Sequence, residues 1–275
     1  MRSGFFLILI ALSIGCSAQP PVAQPSGSSQ GIAQKVDQFS VDALGNIYIL
    51  NLNNHLIKLD ANGHFLQQFS AIARHGELHT LDVSNPLRLL LWYKDFGSVV
   101  LLDRFLKPAT ELDLRMNGFG QASAVAQSYD NNIWIFDLLD FSLKKINPQG
   151  AELMRTADFR QLFDQPPMPV KIYDDHQTLY LADTSKGIYL FDYFGTLQKF
   201  IPIEGLADLV VFNHVVYINR FSEWYKISIA DGRLEKVPIP ASSPAIKQLI
   251  TPGFYYFIDA EQNLHRLALQ PSLQQ

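Results

Sequence analysis

The chain has 275 residues, 48% of them hydrophobic and 17% charged, with a formal net charge of −4. That balance excludes a globally disordered chain, which holds too few apolar residues to bury. No Lys/Arg-rich run stands out, so nucleic acid is excluded as a partner on electrostatic grounds.

The chain opens with Arg2, an apolar run from Phe5 to Leu12, and small residues up to Cys16. Charge, then apolar stretch, then small residues is the order of a secretory signal. The run falls short of the ~20 apolar residues that span a bilayer, so residues 1–15 read as a cleaved signal peptide. Cys16 is the only cysteine, which rules out a disulfide within the chain. The stretch Leu12-Ser13-Ile14-Gly15-Cys16 resembles a bacterial lipobox, with Leu12 one step earlier than the usual leucine. The resemblance implies lipidation at Cys16 and attachment of the exported protein to a membrane. Ser17 follows the cysteine where an Asp would signal inner-membrane retention, so the outer membrane is expected over the inner. Residues 16–30 are rich in Pro, Ser, Gln and Gly and read as a flexible tether.

From residue 31 to 270, short apolar strands recur between Gly, Asn, Asp and Pro. Tyr48, Leu90, Trp134, Tyr180, Tyr217 and Tyr256 mark the middle of one strand in each repeat, spaced 42, 44, 46, 37 and 39 residues apart. A second marker follows each by 11 to 13 residues: Asp60, Asp103, Asn147, Asp192, Ser228 and Ala268. Two markers in step at a period of ~40–50 residues predict four-stranded propeller blades. The fold class is therefore all-β, a six-bladed β-propeller. An apolar strand precedes each first marker, and a fourth strand follows the turn in the first five repeats. The sixth lacks its fourth strand, since only a tail over 271–275 remains. Ile32-Ala33-Gln34-Lys35 is expected to supply it, closing the ring with an N-terminal strand.

The runs Asp42 to Ile49, Asn54 to Gly63 and Asp130 to Asp137 resemble an NHL-type propeller repeat. The resemblance covers residues ~37–269 loosely and is weakest in the second and fifth repeats. It implies a six-bladed ring that binds partners, with enzymes a minority.

Candidate chemistry is sparse. Asn51, Asp137, Asp183, Asn219 and Asp259 recur at strand ends, where such residues favour turns. The seven histidines (His55, His64, His75, His79, His176, His214 and His265) show no helical metal-site spacing. No Gly-x-Ser-x-Gly occurs, and Gly118-Phe119-Gly120 lacks the further glycine of a phosphate loop. No catalytic, metal or cofactor residues are assigned. The candidate ligand face is the mouth formed by loops entering the innermost strands. Its residues are Arg74, His75, Glu77, His79, Arg115, Asn117, Phe119, Arg160, Asp164, Asp208 and Lys247. The longest insertion, 158–169, is either a contact patch built on Phe159, Leu162 and Phe163 or a helical turn packed on the next blade. The expected role is a non-enzymatic binding scaffold for a protein or an envelope polymer. An enzyme working at the central channel, on a lactone, sugar or peptide, and a small-ligand sensor are the rivals.

Overall fold

The computed structural model describes residues 35–70, 75–212, 214–239 and 245–269. Cys16, the tether, Arg74 and the tail lie outside them. Blade one comprises β1 (Val36–Val41), β2 (Ile47–Asn51), β3 (Leu56–Leu59) and β4 (Phe65–Phe69). Blade two comprises β5 (Thr80–Asp82), β6 (Arg88–Tyr93), β7 (Ser98–Asp103) and β8 (Pro108–Asp113). Blade three comprises β9 (Ala122–Gln127), β10 (Ile133–Asp137), β11 (Ser142–Ile146) and β12 (Glu152–Arg155). Blade four comprises β13 (Lys171–Asp175), β14 (Thr178–Asp183), β15 (Gly187–Phe191) and β16 (Leu197–Pro202). Blade five comprises β17 (Leu206–Phe212), β18 (Val215–Arg220), β19 (Glu223–Ile227) and β20 (Leu234–Lys236). Blade six comprises β21 (Lys247–Thr251), β22 (Phe254–Ile258) and β23 (Leu264–Ala268).

Every sheet is an antiparallel meander, and all six first markers fall inside the second strand of their blade. The innermost strands β1, β5, β9, β13, β17 and β21 touch in sequence, and β21 returns to β1.

The second strands explain why the apolar runs do not alternate with polar residues. Successive side chains point to opposite faces of a sheet. In β10, Ile133 and Ile135 enter the core shared with blade two, whereas Trp134 and Phe136 enter the core shared with blade four. Likewise Leu90 and Trp92 of β6 face blade three, and Leu89, Leu91 and Tyr93 face blade one. Six such cores lie between successive blades, the last joining Tyr256, Ile258 and Leu264 to Val36, Ile47 and Ile49. Each fully buried side chain of this size contributes about 1.5–3 kcal/mol of burial.

The expected closing strand lies mostly outside the described residues. Among the described residues blade six has three strands. Of the closing segment expected over 32–35, residues 32–34 lie outside the described set, and Lys35 precedes β1 without joining a strand. The N–H of Val36 donates to the Gln262 carbonyl at 2.9 Å, and the Lys35 ammonium donates to the Glu261 carbonyl. The start of β1 is thus tied to the β22–β23 turn, beside the core that joins the two blades.

Candidate functional site

Antiparallel order places the turns between first and second and between third and fourth strands at one end of the ring, the turn face. The second-to-third turns and the blade-to-blade connections lie at the other end, the connection face. The turn face is built by a repeated local device. An Asp or Asn accepts backbone N–H bonds from residues two and four positions later. Asp42 accepts from Leu44 and Asn46, Asp60 from Asn62 and His64, and Asp103 from Phe105 and Lys107. Asn147 and Asp192 repeat the pattern. This bond set is the physical origin of the second sequence marker.

The recurrent residues at the second-strand ends also serve turns. Asn51 accepts from the N–H groups of Asn53 and His55, Asp137 from Leu139, Asp183 from Ser185 and Asp259 from Asn263. Asn219 instead donates to Gln248 on the next blade.

A cavity of about 290 Å³ runs along the channel. Its walls include all of β13 and the turn-face ends of β1, β5, β17 and β21. Lys171 on β13 donates to Asp208 on β17 at 2.8 Å and lies 5.2 Å from the Tyr173 ring. Burial pushes the Lys171 pKa down, but Asp208 and Tyr173 together outweigh it and hold the ammonium above the usual lysine range. Burial also raises the Tyr173 phenol, so it stays neutral. Asp174 is consumed by structure. It accepts from the Trp134 indole at 2.8 Å, the Ser128 hydroxyl at 3.0 Å, the Tyr129 N–H at 3.2 Å and the Tyr193 hydroxyl. Asp82 is similarly bonded to the N–H groups of Ser84 and Gln127.

At the turn-face mouth, blades four and five bring three ligating groups together. Asp175 ends β13, His176 opens the β13–β14 turn, and His214 occupies the β17–β18 turn. The Nδ1 atoms of His176 and His214 lie 3.0 and 2.9 Å from the two Asp175 carboxylate oxygens. The imidazoles meet edge to face at 3.7 Å between centroids. Sequence reasoning missed this group because it sought histidines three or four residues apart.

The residues of the candidate ligand face are scattered. His75 is buried, against the Tyr93 ring and 3.7 Å from Glu111. Glu77 is exposed, and His79 meets Trp92 edge to face. Arg115 donates to the Asp95 carbonyl and Asn117 to the Asp113 carbonyl. Phe119, expected at the mouth, is a core residue between blades two and three, which removes it from solvent. Arg160 pairs with Asp158, while Asp164 and Lys247 are exposed. Asp208 alone of the set bonds a cavity-lining group, Lys171. The 158–169 insertion forms a 3₁₀ turn over Phe159–Gln161. Phe159 is fully buried and stacks on Phe191 at 5.0 Å, so the turn packs onto blade four rather than presenting Phe159 as a contact patch.

No protein-family model matches the chain, and no curated protein matches it. Solved structures do. A Neurospora crassa Pan2 WD40 domain aligns with a TM-score of 0.61 and 9% identity, covering 88% of this chain and 91% of that one. The Cps50 (Swd1) β-propeller domain of Myceliophteria thermophila gives 0.57 and 11%, covering 87% and 99%. Virginiamycin B lyase from Staphylococcus aureus gives 0.55 and 11%, covering 89% of each chain. What they share with this chain is the β-propeller. At such identities the likeness is one of fold alone.

Proposed function

We propose that this protein is a lipid-anchored binding scaffold of the cell envelope, an NHL-type propeller that engages a protein partner through its turn face. The observation that carries the reading is an apolar rim. Leu44, Leu87, Phe105 and Phe194 each donate their N–H to an Asx side chain two residues earlier. That turn holds the backbone rigid and leaves the side chain outward. The four are 69%, 64%, 48% and 89% exposed, on turns of blades one, two and four that open on the same face. Tyr129 adds a further exposed ring from blade three, stacked on Tyr193. Turn tips favour small polar residues, and large apolar groups held there by a rigid scaffold suit an interface. The lone Cys16 after the apolar leader supports a lipid tether, and Ser17 supports the outer membrane.

The test is affinity capture from intact envelope with Leu44→Ser, Phe105→Ser and Phe194→Ser combined. Loss of one stoichiometric protein in the variant supports the reading; recovery of a glycan polymer instead redirects it, and unchanged capture refutes it. Incorporation of radiolabelled palmitate, abolished by Cys16→Ser, tests the anchor separately. A second reading, a small-ligand sensor, draws on the channel cavity, whose size approaches the ~300 Å³ lower bound of ligand pockets.

A further inference from the structure

We propose that Asp175, His176 and His214 form a binding site for a zinc-like divalent cation at the turn-face mouth of the channel. Their candidate ligand atoms all lie within 4.8 Å of one another. Bonds of ~2.0–2.1 Å to a tetrahedral ion place donor atoms about 3.3 Å apart. The rings must therefore close by at most about 1.5 Å, and the histidines, 74% and 56% exposed, have the space to reorient.

The other blades serve as an internal comparison. In the first-to-second-strand turns of blades one, three and six, the left-handed position is filled by Gly45, Asn131 and Gly253. In blades four and five a histidine stands at a left-handed place in that turn: His176 at φ 44°, followed by Gln177 at 68°, and His214 at 64°. Those two turns belong to neighbouring innermost strands. Histidine is among the few non-glycine types enriched at left-handed positions, and here the two turns bring one imidazole from each blade together. The Gln177 N–H, bonded to the Tyr193 hydroxyl at 3.0 Å, anchors the blade-four turn.

Two imidazoles and one carboxylate are the donor set of a borderline ion such as Zn²⁺ or Co²⁺, rather than of Mg²⁺ or Ca²⁺. Three protein ligands leave a fourth position open. Asp175 and His176 also line the channel cavity, so that position adjoins it. Asp42, Asp82 and Asp174 line the same cavity and add negative potential that favours a cation. An oxygen donor, carboxylate or phosphate, on a molecule entering the cavity would complete the coordination. The site is independent of the apolar rim, and its failure leaves the scaffold reading standing.

The test uses Co²⁺ as a visible probe, titrated into the full chain, with Zn²⁺ competition by calorimetry. One Co²⁺ per chain is expected, displaced by Zn²⁺. His176→Asn, His214→Asn and Asp175→Asn are each expected to weaken binding by more than about 10-fold. Asn tolerates the left-handed turn, as Asn131 does at φ 65°, and Asp175→Asn alters no turn backbone. Superimposable circular dichroism checks the fold of each variant. His64→Asn and His265→Asn report on the exposed pair His64–Asp60 and the part-buried pair His265–Asp259 and are expected to leave Co²⁺ binding unchanged. Absence of binding, or binding undiminished in His176→Asn/His214→Asn, overturns the proposal.

Discussion

Replacing Lys144 with Met isolates the one fully enclosed charge pair described in the ring. Lys144 and Asp137 are 2% and 0% exposed and lie 2.7 Å apart within the β10–β11 hairpin. One Asp137 oxygen accepts the Leu139 N–H, while the other accepts from the Lys144 ammonium. Asp140, at 2.9 Å from the same ammonium, retains Arg155 and Ser142 when Lys144 is lost. The damage therefore concentrates on Asp137, left charged and half-bonded away from water. Breaking a buried pair from one side costs about 3–5 kcal/mol. With a urea m-value of ~2–3 kcal/mol/M, the unfolding midpoint falls by about 1–2.5 M. Tryptophan emission follows the transition, since Trp92, Trp134 and Trp224 are all buried. Adding Asp137→Asn keeps the turn acceptor and removes the stranded charge, so the double variant is expected to regain most of the loss. A loss below about 1 kcal/mol, or a double variant worse than the single, refutes the assignment of the cost to an uncompensated charge.

Gly187→Ala places a Cβ 2.2 Å from the Ile201 carbonyl oxygen and 2.7 Å from the Ile203 nitrogen at φ +133°, and is expected to cost roughly 3 kcal/mol by thermal unfolding. Gly253→Ala meets open space at φ +91°, so only the left-handed penalty of about 1–2 kcal/mol is expected. Trp134→Phe removes the indole bond to Asp174, which keeps three other donors, and should cost about 1–2 kcal/mol in chemical denaturation. The Asn263 N–H, with the His265 and Asn263 side chains, lowers the Asp259 carboxyl from 3.8 to about 2. A depressed carboxyl contributes stability above its unfolded pKa, and that contribution is lost as pH falls through the folded one. Melting temperature against pH should accordingly fall less steeply below pH 4 in Asp259→Asn, and an unchanged slope refutes the role given to the turn.

The blade count was legible because its causes are local or periodic. Burial of both faces of Ile133 to Phe136 produces a continuous apolar run, and the bonds of Asp60 or Asp192 to residues two and four later need no tertiary partner. The blade-to-blade loops were less legible, because exposure there depends on what the next blade covers. Phe119 and Phe159 sit in loop sequence, yet each fills a gap between blades. His75 is buried for the same reason, against Tyr93.

The histidine pair teaches a different rule about distance along the chain. His176 and His214 are 38 positions apart, close to the 37 that separate Tyr180 from Tyr217. They are the same turn in successive blades. In a helix, side chains meet at three or four residues; in a propeller the equivalent interval is one blade period. Comparing repeats turn by turn places the two histidines one position out of step within the same turn, with His214 matching Gln177 and Gly253. The approach of β13 to β17 then decides that this coincidence becomes a contact, with Lys171 and Asp208 joining the same two strands further along the channel. One pair of neighbouring innermost strands thus carries both an ion pair inside the channel and a carboxylate with two imidazoles at its mouth. Chemistry shared between neighbouring blades follows from a rigid ring, since the approach of β13 to β17 holds their side chains at bonding distance.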